Sequence, residues 1–309
     1  MRLIFILLLS LAMMSSHAQV ADSVKFIGKS AFIQTCQGCH RDTINSRIPS
    51  TTILSTMTAR AVLAAMETGK MRIQASGLSR VQRKAIAEWV TGAPVKSNEM
   101  PKTAYTKFSL APNVNPVPVY SGWGGDMRST GFRNSAQAGI NKNNIAYLKL
   151  KWAFAFPDAT VMRSKPAVVG DWLLVGSQYG DVFAINKKTG KIGWHFSAGA
   201  AIRGAIVTTK KDNQLIAYFA DFSTNVYAVD VRTGKEIWKS RVGYEPQSGV
   251  TGSVTVANGI VYVPITSAEV ASAADGNYAC CFSSGGLVAL NAKTGVEIWH
   301  HRVITEAAV

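Results

Sequence analysis

Apolar residues recur at helical spacing in the first third of the chain and at the spacing of short strands in the remainder. A basic start, Met1-Arg2, leads into an apolar run from Leu3 to Met14, and Ser16-His17-Ala18 follows before Gln19. Phe26, Ile27, Ala31 and Phe32 lie at near-helical spacing, and Thr58 to Thr68 predicts a second helix stopped by Gly69. Ser79-x-x-Gln82 forms a capping box that opens a third helix, with Val81, Ala85, Ile86, Trp89 and Val90 on one face and Gly92 and Pro94 at its end. Ala93 to Ser121 holds five of the ten prolines and keeps no period, which predicts a semi-rigid extended linker. Beyond it, Trp172-Leu173-Leu174-Val175-Gly176 and Ile260-Val261-Tyr262-Val263-Pro264 alternate as strands do.

This second region repeats. The segments Ala184 to Trp194, Ala228 to Trp238 and Ala289 to Trp299 share the template A-φ-[ND]-x-[KR]-T-G-x-x-φ-W, and the first departs from it with Ile192-Gly193 where the others have Glu-Ile. Trp194 and Trp238 stand 44 residues apart, Trp238 and Trp299 61. A period in the forties with short strands and turn residues predicts a β-propeller. The Thr-Gly reads as a hairpin turn whose glycine takes positive φ, and the tryptophan as a packing plug between blades. The third unit is 17 residues longer than the second, and the excess falls around Glu269 to Gly286, which contains Cys280-Cys281. Such an insertion maps to one face of the ring, often the binding face.

With 47% hydrophobic and only 17% charged residues the chain can bury sizeable cores and is no disordered tail protein. Its formal charge is +15, yet no block of five or six like charges occurs, which argues against a nucleic-acid partner. A diffuse basic surface suits encounters with acidic partners or an anionic membrane face. The N-terminal apolar run of 12 residues is too short to cross a hydrocarbon core of about 30 Å. Its basic start and small-x-small end predict a secretory signal over residues 1–18, and hence a periplasmic protein that is not integral to the membrane. The four cysteines form two close pairs, not a distributed disulfide framework.

Cys36-Gln37-Gly38-Cys39-His40 has the spacing for covalent c-type haem attachment. Two thiols form thioethers to the porphyrin vinyl groups and the adjacent imidazole ligates iron. A thioredoxin-like redox pair would need a βαβ setting, whereas the surroundings here read as helical. Residues 19–92 therefore read as a small helical haem domain, with Cys36 and Cys39 as attachment sites and His40 as proximal iron ligand. No histidine follows His40 in this domain, so the distal ligand comes from Met57, Met66, Met71 or Met100. Met66 sits within a helix and reads as core, and Met100 falls in the Pro-rich stretch. Met71 follows Gly69 in a loop free to swing a thioether towards iron, and is the expected ligand. The stretch Gly69 to Trp89 resembles the distal half of class I cytochromes c.

Taken together, Trp123-Gly124-Gly125-Asp126, Leu148 to Trp152, the Thr-Gly repeats, Thr251-Gly252-Ser253 and Asn277 to Phe282 resemble the PQQ-dependent alcohol dehydrogenases, above all the haem-containing polyvinyl-alcohol type. An outer-membrane assembly lipoprotein shares the repeat, but not its combination with Cys-x-x-Cys-His. The resemblance implies a class I cytochrome c domain (19–92), a linker (93–121) and an incomplete propeller of about three to four blades (122–309). It also implies that the chain is an N-terminal fragment, with the family's catalytic aspartate downstream. Carried over, Arg203, Thr251 and Thr266 contact PQQ and Glu269 ligates calcium, which suits a tricarboxylate quinone and a hard cation. Cys280-Cys281 is expected either as a vicinal disulfide platform for PQQ or as a pair that stiffens its loop. His195, His300 and His301 read as solvated strand-edge residues. The function implied is oxidation of an alcohol, such as polyvinyl alcohol, at PQQ, with electrons passing to haem c and on to a respiratory carrier. The alternative is an exported electron-transfer cytochrome whose propeller is a non-catalytic scaffold.

Overall fold

The computed structural model describes residues 20–41, 48–96, 100–111, 122–124, 130–157, 159, 161–211, 214–245, 247–274 and 278–305. The signal expected over 1–18 lies outside the described residues, as do Asp126 and Asn277.

Four helices come first: α1 (Asp22–Thr35), α2 (Thr51–Ser55), α3 (Ala59–Glu67) and α4 (Arg80–Thr91). Side chains of Ser50, Thr58 and Ser79 accept hydrogen bonds from the amides of Ile53, Ala61 and Gln82 and so satisfy first-turn donors of the last three. The reciprocal bond from the Ser79 amide to Gln82 completes the capping box, and Gly92, with φ 65°, terminates α4. Ala31, Phe32, Leu54, Val62, Met66, Ile86 and Val90 bury a shared core. The apolar face expected on α4 begins at Ala85, because Val81 points to solvent. Likewise Phe26 is exposed on α1.

Three antiparallel sheets follow, each meandering outwards from its first strand. The first holds β1 (Ala167–Val169), β2 (Trp172–Gly176), β3 (Asp181–Asn186) and β4 (Ile192–Ser197). The second holds β5 (Val207–Lys211), β6 (Gln214–Ala220), β7 (Asn225–Asp230) and β8 (Glu236–Arg241). The third holds β10 (Thr255–Ala257), β11 (Ile260–Ser267), β12 (Gly286–Asn291) and β13 (Glu297–Arg302), with the short β9 (Ser248–Gly249) on the far end of β11. The register shifts at the same place in each blade, after Ala184, Ala228 and Ala289. Among the described residues the sheets do not close a ring, and no fourth sheet is present.

The Asx, glycine and tryptophan letters of the repeat each do a physical job. The Asn186, Asp230 and Asn291 side chains each accept two backbone amides of the turn, from Lys188 and Thr189, Arg232 and Thr233, and Lys293 and Thr294. The glycine amide then closes onto the same residue's carbonyl, and Gly190, Gly234 and Gly295 hold φ of 73°, 70° and 72°. Of the three repeat tryptophans, Trp299 is exposed and the other two are the plugs expected. Trp194 and Trp238, like Trp152 ahead of the repeat, donate Nε1–H to the carbonyls of Val231, Ala292 and Lys187, one turn onward each time, at 2.8, 3.0 and 2.9 Å. Their rings lie against the turn glycine, where a Cβ would meet them.

The stretch read as a spacer is partly docked. Tyr105 bridges Ile192 in parallel, the Phe108 ring stacks on Trp172 at 4.3 Å, and Trp172 Nε1–H donates to the Ser109 carbonyl. This accounts for the departure at Gly193, where any Cβ would overlap the rings of Trp172 and Phe108.

Candidate functional site

Meander topology sorts every connection to one of two ends. The Thr-Gly turns lie at one end. The entries to β1, β5 and β10 and the β2–β3, β6–β7 and β11–β12 connections lie at the other, here called the rim. Arg203, Thr251, Thr266, Glu269, Cys280 and Cys281 all fall on the rim.

Arg203 enters β5 half-buried, its guanidinium 4.1 Å above the centre of the Phe222 ring and its buried Nε without a hydrogen-bond acceptor. Burial, and next the charge of Arg163, lowers its pKa. Thr251 is exposed at the entry to β10, and the adjoining Ser253 Oγ accepts the Ala205 amide at 2.8 Å, tying that turn to the Arg203 segment. Thr266 pairs with Gly249 and donates its hydroxyl to the Ser267 carbonyl at 3.3 Å.

Glu269 is 1% exposed. One carboxylate oxygen accepts from Tyr278 Oη and the Phe282 amide at 2.7 and 2.6 Å, the other from Ser267 Oγ, the Ser283 amide and Ser283 Oγ. Desolvation pushes this carboxyl up, but the donors from Ser283, Phe282 and Tyr278 outweigh it and hold the pKa at about 2. The expected calcium role therefore does not fit this arrangement: the carboxylate's lone pairs are taken by its own loop. No group of three or more His, Cys, Asp or Glu residues able to hold a metal occurs among the described residues. Cys280 and Cys281 form a vicinal disulfide in the loop that Glu269 anchors.

The helical unit carries Cys36, Cys39 and His40. The Cys39 and His40 amides turn back onto the Cys36 carbonyl at 3.2 and 3.1 Å, so both free thiols and the imidazole issue from one turn after α1. Burial, and then the neighbouring Cys39, raises the Cys36 thiol pKa. His40 is buried with Nδ1 at 2.8 Å from the Pro49 carbonyl. With Nδ1–H given to that oxygen, Nε2 keeps its lone pair for a metal, so these residues fit a haem. Of the methionines considered, Met66 is core, Met57 is exposed, and Met100 packs on the first blade. Met71 packs on the same apolar cluster as Cys36.

Two contacts join this unit to the rim. Arg60 of α3 donates Nη2–H to Asp181 at 2.8 Å, with side chains 10% and 1% exposed, and its guanidinium lies 4.9 Å from the centre of the Tyr179 ring. Burial, and next the like charge of Arg241 at the rim end of β8, lowers the pKa of Arg72, which stands next to Met71. Asp181 also binds His195 Nε2 at 2.9 Å, and the imidazole stacks on Phe183 at 4.8 Å. His195 is thus no solvated edge residue, because a buried carboxylate and an aromatic face hold it. His300 and His301 are exposed on β13 as expected.

Sequence reasoning passed over Arg163. It stands four residues before β1, as Arg203 stands four before β5 and Thr251 four before β10. The repeat register held that signal.

Four-stranded meanders with tryptophans docked on the next blade's turn define a PQQ-type β-propeller. The PQQ_2 family model, described as outer membrane protein assembly factor BamB, matches residues 149–309. Polyvinylalcohol dehydrogenase of Sphingopyxis sp. (strain 113P3) is 33% identical over 305 residues, covering 92% of this chain and 46% of that protein. Its counterpart from Pseudomonas sp. is 30% identical over 292 residues, with 88% and 45% covered. The solved quinohemoprotein alcohol dehydrogenase of Comamonas testosteroni is 21% identical with a TM-score of 0.48, covering 62% of this chain and 28% of that one. The chain belongs to the PQQ-dependent alcohol dehydrogenase family. It spans about half the length of the curated relatives it matches.

Proposed function

We propose that this chain is the haem-bearing half of a periplasmic quinohaemoprotein that oxidises an alcohol, with polyvinyl alcohol the leading substrate from the relatives' names. The observation that carries the reading is the buried Arg60–Asp181 pair, which holds the helical unit on the rim where Arg203, Thr251 and Thr266 gather. Bound PQQ would supply a two-electron oxidant. The Arg203 guanidinium, with an orphaned buried Nε–H, and the exposed Thr251 hydroxyl are donors suited to a carboxylate-bearing quinone, and the Thr266 hydroxyl would join them by leaving the Ser267 carbonyl. Phe222 braces the Arg203 guanidinium from one side and excludes water there. The vicinal disulfide, fixed by Glu269 through Phe282 and Ser283, offers a rigid cover for the same end.

In the helical unit Cys36 and Cys39 would carry haem c covalently, with His40 and Met71 as axial ligands. A His–Met pair raises the iron potential, as an electron acceptor requires. A respiratory carrier would then discharge the haem. Among the described residues no helix is long and apolar enough to cross a membrane.

The test is reconstitution of the natural gene product with PQQ, followed by dye-linked oxidation of secondary alcohols. PQQ-dependent turnover in a preparation with a haem c spectrum is expected. A haem-loaded protein that binds no PQQ would leave the electron-transfer cytochrome as the function.

A further inference from the structure

We propose that Arg163 and Arg203 form a two-blade guanidinium clamp for a carboxylate-bearing ligand, with Arg163 selecting polyanionic over neutral quinones. This rests on the reading of the rim as a quinone site, but adds to it a residue that the resemblance did not supply.

Three observations converge. The two arginines hold the same register position in successive blades, so the fold places both at the rim and not by chance of sequence. The strands they enter are joined there, the Ile206 amide donating to the Lys165 carbonyl at 3.3 Å. Neither has an acidic partner among the described ion pairs, and the rim carboxylates among the described residues are committed elsewhere. Asp181 holds Arg60 and His195, Asp221 holds Asn225 and Tyr227, Glu245 holds Arg302 and the Ser284 amide, and Glu269 holds its loop.

Two like charges left in mutual range without a counter-ion among the described residues disfavour the empty state, and an anion relieves both at once. The Arg203 guanidinium is immobilised over Phe222, while that of Arg163 is exposed and free to follow the ligand. A planar fork on each side suits carboxylates, which it meets through paired N–H···O bonds.

PQQ binding to the natural gene product, followed by quenching of tryptophan fluorescence, tests this with Arg163→Gln, Arg163→Lys and Lys191→Gln. Lys191 is exposed at the opposite end of the first blade and controls for loss of one charge. Arg163→Gln should weaken PQQ about tenfold, the worth of one charge-assisted contact, with Arg163→Lys between and Lys191→Gln unchanged. The trimethyl ester of PQQ should bind the unaltered protein and Arg163→Gln alike. Equal PQQ affinity in the unaltered protein and Arg163→Gln overturns the clamp and leaves the quinone site standing, as does equal weakening by Lys191→Gln. Absence of PQQ binding by the unaltered protein overturns both.

Discussion

Breaking the Arg60–Asp181 pair should uncouple the helical unit from the propeller. Asp181 is 1% exposed and accepts from Arg60 at 2.8 Å, His195 at 2.9 Å and Ser197 Oγ at 3.3 Å. Removing one partner of a buried pair costs about 3–5 kcal/mol, because the other is left charged and dry. Asp181→Ala strands both Arg60 and His195 and should fall at the upper end of that range. Arg60→Met keeps the stem packing and leaves Asp181 its two other donors, so a loss of about 2 kcal/mol is expected. The double variant should cost less than the two single losses summed, with a coupling of at least about 1.5 kcal/mol. Denaturant unfolding followed by haem absorbance and by tryptophan fluorescence reads this directly. The two probes should coincide in the unaltered protein and separate in Arg60→Met. A coupling below about 0.5 kcal/mol, or probes that stay coincident in all variants, would refute the tie between helical unit and propeller.

Three further changes probe other joints. Met71→Ala should abolish the red-edge absorption band of a methionine–iron bond; its survival would exclude Met71 as ligand. The Glu269 carboxyl titrates at about 2 in place of its usual 4.5, so its contribution, on the order of 3 kcal/mol, is complete above about pH 4.5 and disappears as pH falls towards 2. Acid unfolding measured with Glu269→Gln should lose that slope, and an unchanged profile would show that the loop is held otherwise. Trp194→Phe strands the buried Val231 carbonyl and should cost about 2 kcal/mol, whereas Trp238→Phe should cost about 1 because Tyr218 Oη still donates to the Ala292 carbonyl at 3.0 Å. Equal losses by thermal melting would contradict this account of the plugs.

The propeller was legible because its repeat letters act locally. An Asx side chain, a threonine hydroxyl and a positive-φ glycine build the turn within five residues, and a tryptophan 44 residues from its successor reports the blade period. Ser79, Gln82 and Gly92 fixed α4 for the same reason. The interdomain contact left no such trace, since Arg60 and Asp181 meet across 121 residues and neither sits in a motif. His195 was misread on its exposed-looking position after a repeat tryptophan, where only the fold supplies Asp181 and Phe183. Glu269 was read by analogy as a cation ligand, and the donors that occupy it come from an inserted loop outside the repeat. Phe108 likewise lay in a Pro-rich stretch with no period, although its ring fills the space that Gly193 leaves.

On the proposed function, electrons pass from a quinone at the rim to a haem fixed on the same chain. Anaerobic mixing of PQQ-loaded holoprotein with a secondary alcohol, followed at the haem α-band, tests it most directly. Reduction in a first-order phase whose rate is independent of protein concentration is predicted. A haem that stays oxidised, or a rate rising in proportion to protein concentration, would contradict it.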